Sequence, residues 1–291
     1  MSRIFNYKNF LKLNSGIMLL LVAITLFPFI YMLAVSFSSS RAVLAGEVIF
    51  FPVDFNFTAY THMLKQSQFW TAYKNTIIYT SVGTSLSLVL TIMCAYPLSK
   101  KNLIGGSIIM KVIIFTMFFS GGLIPNFILI RDLNLYDKMW AMVLPGAISA
   151  YNVMIMKTFF QGIPEELKEA ARIDGLTDIG VLIKIVLPLS KPIIATIGLF
   201  VAVWLWNEWF ISLIYFKTDA KRPVAMYLRN IVLGAMNTIK NGKEVDSTAA
   251  KTVPQTLQAS TIMLTSIPIL CVYPFVQKYF TKGILIGSVK G

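Results

Sequence analysis

Long apolar stretches alternate with shorter polar segments along the whole chain. Six windows stand out, at 15–37, 75–98, 112–130, 139–159, 193–216 and 258–279, and none holds more than one charged residue. A helix needs about 20 mostly apolar residues to cross a bilayer, and backbone groups facing lipid must bond within their own segment. The pattern predicts an all-α membrane protein of six transmembrane helices, built as one integral membrane domain over 1–291. Barrel strands would alternate apolar and polar residues over roughly 10 positions, and these windows do not. Six windows in one chain also make the buried core helices of a soluble protein a poor explanation.

Composition strengthens this picture. Hydrophobic residues make up 56% of the 291 and charged residues only 13%, against about a quarter charged in a typical soluble domain. The first window follows Arg3, Lys8 and Lys12, as a signal peptide would. Its apolar run is longer than a usual signal core and ends in no small-x-small cleavage pattern, so it is expected to remain as the first helix. Cys94 and Cys271 each fall inside an apolar window, where cysteine behaves as a small hydrophobe. His62 is the single histidine, so no metal site is expected.

Charge orients the helices. With cytoplasmic termini, fourteen of the 26 Lys and Arg residues lie inside and twelve outside; setting aside the long 217–257 loop leaves five outside. Short loops and helix ends carry the positive-inside signal, so both termini are expected in the cytoplasm of a multi-pass plasma-membrane protein. The net charge of +13 is spread over both faces, which argues against a nucleic-acid surface and allows attraction to anionic lipid. The aromatic-rich FFPVDFNFTAYTHML stretch reads as an interfacial belt or as a contact for an extracellular partner. Gly83, Ser85 and Ser87, then Gly121 and Gly122, then Gly146 and Ala150, are small residues expected to let helices approach closely.

The most unusual polar segment is 161–192. Pro164 suits a first helical turn, and Glu165 and Glu166 complement the helix dipole. Ile163, Leu167, Ala170 and Ala171 fall on one side at helical spacing. Glu165–Lys168 and Glu169–Arg172 form opposite-charge i,i+3 pairs. Gly175 is a helix terminator, and Thr177 and Asp178 offer a new N-cap for a helix over 179–187. Pro188 and Pro192 are expected to break the chain before the fifth window. The prediction is a helical hairpin displayed at the membrane surface for a partner protein.

The spacing Glu169-Ala170-Ala171-x-x-Asp174-Gly175, with Ile185-x-Leu187-Pro188 and Pro192 ahead of the penultimate span, closely resembles the EAA loop of ABC-importer permeases. Leu176 stands where that family usually has Ala. The stretch 126–210, with Trp206-Asn207-Glu208-Trp209, and the ending Lys282-Gly283 … Gly287-Ser288-Val289-Lys290-Gly291 resemble the carbohydrate-uptake branch, the relatives of the second maltose permease subunit. The resemblance implies the ABC type I importer permease architecture. It implies that Glu165, Glu166, Leu167, Glu169, Ala170, Ala171, Arg172, Asp174, Gly175 and Leu176 form a coupling helix seated in a cytoplasmic ATPase. It further implies that Lys282, Gly283, Lys290 and Gly291 belong to a tail reaching toward that ATPase. The implied partners are a second six-helix permease subunit, a dimeric ATPase and an extracellular solute-binding protein.

Glu208 is the acid within an apolar window, and intramembrane charges usually face a bundle interior or cavity. Beside Trp204, Trp206, Asn207 and Trp209 it offers carboxylate, amide and aromatic faces, which suit a sugar. Trp206, Asn207, Glu208 and Trp209 are therefore candidate substrate-pathway residues, with an interfacial tryptophan belt as the plainer reading. The chain has no G-x-x-x-x-G-K-[ST] phosphate loop, so ATP and Mg would be bound by the partner ATPase and this chain carries no cofactor of its own. The expected function is the permease subunit of an ATP-driven sugar importer, not an enzyme. The alternative is an ion-coupled secondary transporter, for which inverted repeats and midplane acids are missing apart from Glu208.

Overall fold

The computed structural model describes residues 7–240 and 254–288, with only the backbone described at 7–9, 235–240 and most of 275–288. The fold is all-α, and no strand occurs among the described residues. Helices α1 (Tyr7–Ser36), α2 (Ser40–Leu44), α3 (Thr58–Lys65) and α4 (Ser67–Ser99) open the chain. Then come α5 (Gly106–Phe118), α6 (Leu123–Asp132), α7 (Trp140–Val143), α8 (Ala150–Gln161) and α9 (Glu165–Ile173). Asp178–Val181 forms α10, followed by a π-helical turn at Leu182–Val186 and by α11 (Leu187–Leu189). Helices α12 (Lys191–Asn207), α13 (Phe210–Tyr215), α14 (Val224–Lys240) and α15 (Pro254–Ser288) complete it.

Among the described residues three helices are long and apolar enough to cross a membrane: Phe10–Ser36, Ser67–Ser99 and Pro254–Pro274. Two bent pairs, α5 with α6 at 111° and Asp178–Leu189 with α12 at 80°, raise this to five if each pair is one span. The 112–130 window is thus no straight rod. Gly122 adopts φ +83 at the bend, a conformation that glycine enters without steric cost. The 139–159 window is also interrupted, between Val143 and Ala150, where Pro145 lies. The stretch 217–257, expected as a loop, contains α14. Its charged residues hid an apolar face.

The chain packs as two compact units. The first comprises residues 1–69 and 228–267. Here the aromatic-rich stretch folds onto itself: Phe37 stacks on Phe55 at 5.3 Å and on Tyr60 at 4.8 Å, and meets Phe57 edge-on at 5.5 Å. Backbone bonds from Ser39 N–H to the Val53 carbonyl (3.0 Å) and from Asn56 N–H to the Phe37 carbonyl (2.9 Å) fasten this turn to the end of α1.

The second unit comprises residues 70–227 and 268–291. Its core draws Tyr79, Ala95 and Tyr96 from α4, Val153, Met156 and Phe160 from α8, and Ile197, Val201 and Leu205 from α12. Small residues set the helix spacing. A Cβ on Gly83 would stand 2.5 Å from Leu205 Cδ1, and one on Gly146 2.5 Å from the Trp204 ring. Gly146 precedes α8 and so does not share a helix face with Ala150; it receives the indole instead.

Two polar ends mark α4. Near its start, Asn75 Nδ2 donates to the Ala220 carbonyl (2.7 Å), Tyr79 Oη donates to the Lys221 carbonyl (2.8 Å) and Thr76 Oγ1 accepts from Val224 N–H (2.7 Å). The same loop is clamped by Asp137, whose carboxylate accepts from Lys217 N–H (3.1 Å), Thr218 N–H (3.1 Å), Thr218 Oγ1 (2.8 Å) and Lys221 Nζ (2.8 Å). Partial burial pushes the Asp137 carboxyl up, but these donors and the ammonium charge outweigh it and hold it well below the usual carboxylate range. Lys221 and Arg222 are consequently structural members of the loop; Arg222 pairs with Asp219 and donates to the Phe216 carbonyl. The other end of α4 meets the polar hairpin.

Candidate functional site

The hairpin begins where α8 stops. Pro164 precedes α9, and Glu165 and Glu166 occupy its first turn, where acid complements the positive end of the helix dipole. The helix closes in a Schellman motif: Leu176 N–H donates to the Ala171 carbonyl and Gly175 N–H to the Arg172 carbonyl, both at 3.0 Å. That geometry needs a left-handed residue, and Gly175 supplies it at φ +82. Ala171 and Leu176 pack into the core beneath. Thr177 then caps α10, its hydroxyl accepting from Gly180 N–H at 3.3 Å. Of the two expected capping residues, Thr177 therefore serves, and Asp178 is free for another task.

The second arm extends further than expected. It runs through Pro188 to Leu189 and turns only at Ser190. Proline in an α-helix drives its ring against the carbonyl four residues back, here that of Lys184. The π-helical turn over Leu182–Val186, with Leu187 N–H donating to the Leu182 carbonyl, widens the backbone at this point and accommodates the ring.

The faces of α9 divide differently from the sequence expectation. Ile163 and Ala171 are buried as expected, but so is Lys168. Leu167 and Ala170 face outward together with Glu166, Glu169, Ile173 and Asp174; Ile173 is 86% exposed. An exposed isoleucine and leucine among acids, on a short helix, make a surface suited to a protein partner rather than to bulk water.

A chain of charges underlies that surface. Lys168 Nζ donates to Glu165 Oε2 at 2.9 Å and to the Phe160 carbonyl at 3.4 Å, so the buried ammonium is paired and hydrogen-bonded, as burial requires. Arg172 reaches Glu165 and Asp178, each at 3.6 Å, instead of the expected Glu169. Asp178 also pairs with Lys100 at 2.8 Å. Lys100 lies 5.1 Å from the centre of the Tyr96 ring, and Tyr96 Oη donates to the Asp178 carbonyl at 3.0 Å. The hydrogen bond from Lys168, reinforced by its charge and that of Arg172, holds the Glu165 carboxyl below its ordinary range against partial burial. The bond from Lys100 does the same for Asp178, with Arg172 assisting. No local pattern marks Lys100 and Tyr96, at the end of a long apolar window, because the Asp178 they share is distant in the chain, 82 residues on from Tyr96.

The candidate pathway residues do not share one site. Trp206 is buried, its ring edge-on to Tyr73 at 5.8 Å. Asn207 Nδ2 donates back to the Val203 carbonyl at 2.8 Å, and Trp209 sits edge-on to Phe210 at 5.6 Å. Glu208 lies in the break between α12 and α13, one residue before the N-cap Trp209, and its Oε1 accepts from Ile211 N–H at 2.8 Å, satisfying one of the free amides of the first turn of α13. A pocket of about 560 Å³ lies nearby on α12, lined by Trp204, Phe200, Tyr151, Asn152, Ser149 and Thr116 among others, and by none of those four residues. Of the tail residues, Lys282 and Gly283 lie on the backbone of α15, and Lys290 and Gly291 lie outside the described residues.

Known proteins resemble this chain in sequence and in fold. The family described as binding-protein-dependent transport system inner membrane component matches residues 87–286. The polygalacturonan/rhamnogalacturonan transport system permease protein YtcP of Bacillus subtilis (strain 168) is 41% identical over 276 residues, covering 95% of this chain and 96% of that protein. Protein LplC of the same organism is 41% identical over 291 residues, covering 99% and 96%. A chain from the crystal structure of a bacterial ABC transporter involved in the import of the acidic polysaccharide alginate superposes with a TM-score of 0.85 at 33% identity, covering 96% of this chain and 100% of that one. A hairpin-bearing helical membrane protein, matched over most of its length by transport permeases, belongs to the binding-protein-dependent transport system inner membrane components, the permease subunits of ABC importers.

Proposed function

We propose that this chain forms half of the translocation pathway of an ATP-driven importer of oligosaccharides, of the acidic class named for YtcP and for the alginate transporter. The observation that carries the reading is the outward face of α9: Leu167, Ala170 and Ile173 exposed beside Glu166, Glu169 and Asp174, on a helix anchored from below. This surface docks on a cytosolic ATPase, which binds ATP and Mg. Both termini and the hairpin then lie on the cytosolic side. The six apolar windows cross the membrane, the broken ones as bent spans. A second permease chain completes the pathway, and an extracellular binding protein delivers the sugar to the outer loops, near the Asp137 clamp.

The charge chain gives the hairpin a mechanical link. Movement of α9 reaches Asp178 through Arg172, and Asp178 holds α4 through Lys100 and Tyr96. Each exposed ion pair is worth little by itself, roughly 0–1 kcal/mol, so the link works as a network that fixes orientation. A docked ATPase can shift the permease only if it binds its two states unequally. Of the candidate pathway residues Trp206, Asn207, Glu208 and Trp209, Glu208 is the one to meet substrate, at the α12–α13 break, where it retains one carboxylate oxygen beyond its bond to Ile211 N–H. Lys282, Gly283, Lys290 and Gly291 are the tail residues proposed to contact the ATPase.

Co-purification tests the proposal. The tagged chain should bring down a second permease and an ATPase, and an oligogalacturonate-loaded binding protein should stimulate ATP hydrolysis of the complex in vesicles. A monomeric chain that transports without any ATPase would overturn it.

A further inference from the structure

The hairpin end of the second unit holds a basic pocket of which the charge chain uses only Lys100. Lys100 and Lys101 follow the last turn of α4, Lys111 projects from α5, and Lys157 and Gln161 come from the end of α8. With Ser107 they line an open pocket of about 390 Å³, whose other lining side chains are apolar. No carboxylate lines it. Lys100 is engaged with Asp178. Lys101, Lys111 and Lys157 have no ion-pair partner among the described residues. Three ammonium groups lining one pocket without a counter-charge repel one another, and an anion relieves that repulsion.

What kind of anion is indicated by the surface beside it. α5 carries an apolar stripe away from the pocket: Ile108 is 68% exposed, Val112 58% and Phe115 57%, at the i, i+4, i+7 spacing of one helix face. The helix has 13 residues, about 20 Å at its rise per residue, which exceeds one leaflet's half of a hydrocarbon core of about 30 Å. A basic pocket at the foot of such a stripe fits a molecule with an anionic head and an apolar tail.

We propose that this pocket binds the phosphodiester headgroup of an anionic phospholipid, whose acyl chains lie on the Ile108–Val112–Phe115 stripe. A zwitterionic lipid carries its own cation, which the lysines repel; a phosphatidylglycerol headgroup has none. Gln161 and Ser107 supply neutral donors for its glycerol and phosphate oxygens. Assignment to the cytosolic leaflet rests on the proposed role of the hairpin, which shares Lys100 with the pocket; the pocket itself does not depend on that role.

The test uses the assembled transporter in phosphatidylcholine nanodiscs doped with phosphatidylglycerol, with retained lipid read by native mass spectrometry. Wild type should retain phosphatidylglycerol over phosphatidylcholine. A lysine near an anionic headgroup is worth roughly five-fold, so Lys101→Gln/Lys111→Gln/Lys157→Gln together should lower phosphatidylglycerol retention by on the order of 100-fold and leave phosphatidylcholine unchanged. The Lys→Arg triple variant should retain phosphatidylglycerol, which separates loss of charge from loss of assembly. Equal retention of the two lipids by wild type would overturn the proposal. So would displacement of phosphatidylglycerol by millimolar inorganic phosphate, which would identify a soluble-anion site. Transport that remains intact without lipid selectivity would sink the lipid site and leave the importer reading standing.

Discussion

Gly175→Ala isolates the backbone requirement of the hairpin. Gly175 has φ +82, and a Cβ placed there would meet nothing within 4 Å. Sterics against neighbours therefore contribute nothing, and the cost is that of a left-handed L-residue, about 1–2 kcal/mol. Losing a glycine also removes freedom from the opened hairpin, which returns about 0.4–1 kcal/mol. The difference is about 1 kcal/mol, or roughly a five-fold shift toward the state in which the two Schellman bonds are broken. Hydrogen exchange reads local opening directly. In the assembled transporter, peptides covering 171–177 should exchange about five-fold faster in Gly175→Ala than in wild type. Gly175→Asn should fall between them, because asparagine tolerates the left-handed region. If alanine exchanges like glycine, or asparagine is worse than alanine, the left-handed turn does not govern the hairpin.

Gly146→Ala should be more damaging than Gly83→Ala. The first forces a Cβ against the rigid Trp204 ring and the second against a mobile Leu205 methyl; thermal unfolding should show about 1–3 kcal/mol for overpacking at Gly146 and less at Gly83. Asp137 has a folded pKa below its unfolded value, so its contribution is present above about pH 4 and is lost only as pH falls through the lower, folded value. The Lys217 and Thr218 amides, which donate to it, should keep their exchange protection from pH 8 down to about 4 in wild type and lose it throughout this range in Asp137→Ala. At Glu208, Gln preserves the acceptor for Ile211 N–H whereas Ala removes it, so Glu208→Ala alone should cost about 1 kcal/mol of stability. Transport by Glu208→Gln at the wild-type rate would remove any role for the charge in the pathway.

Local signals in the hairpin were readable because local chemistry decides them. The two N-terminal glutamates, Gly175 and Thr177 each act within a few residues of where they stand, and the structure places each in its expected role; Pro164 stands one position before the first turn, as the N-cap. Pro188 misled because its helix-breaking tendency is absorbed by a π-helical turn that no propensity announces. The inward side of α9 was half misassigned: Lys168 is too polar to be expected inside, but its ammonium finds Glu165 and the Phe160 carbonyl, while Leu167 is left outside. Apolar periodicity likewise shows where the chain is hydrophobic and not where it bends. Gly121 and Gly122 read as packing residues, and Gly122 instead permits the turn between α5 and α6. The Asp137 clamp joins positions some eighty residues apart, and only the folded chain brings Asp137, Thr218 and Lys221 together.

The tie between Tyr96, Lys100 and Asp178 sets an order of events during synthesis. Tyr96 on α4 leaves the ribosome 82 residues ahead of Asp178, and Lys100, just past the end of α4, also precedes it, so the hairpin inherits a seat prepared by an apolar helix made earlier. A chain in which that earlier helix inserts upside down would present the later segment with no anchor, leaving its apolar residues exposed to cellular quality control. Correct placement of α4 is thereby a condition for the hairpin to dock.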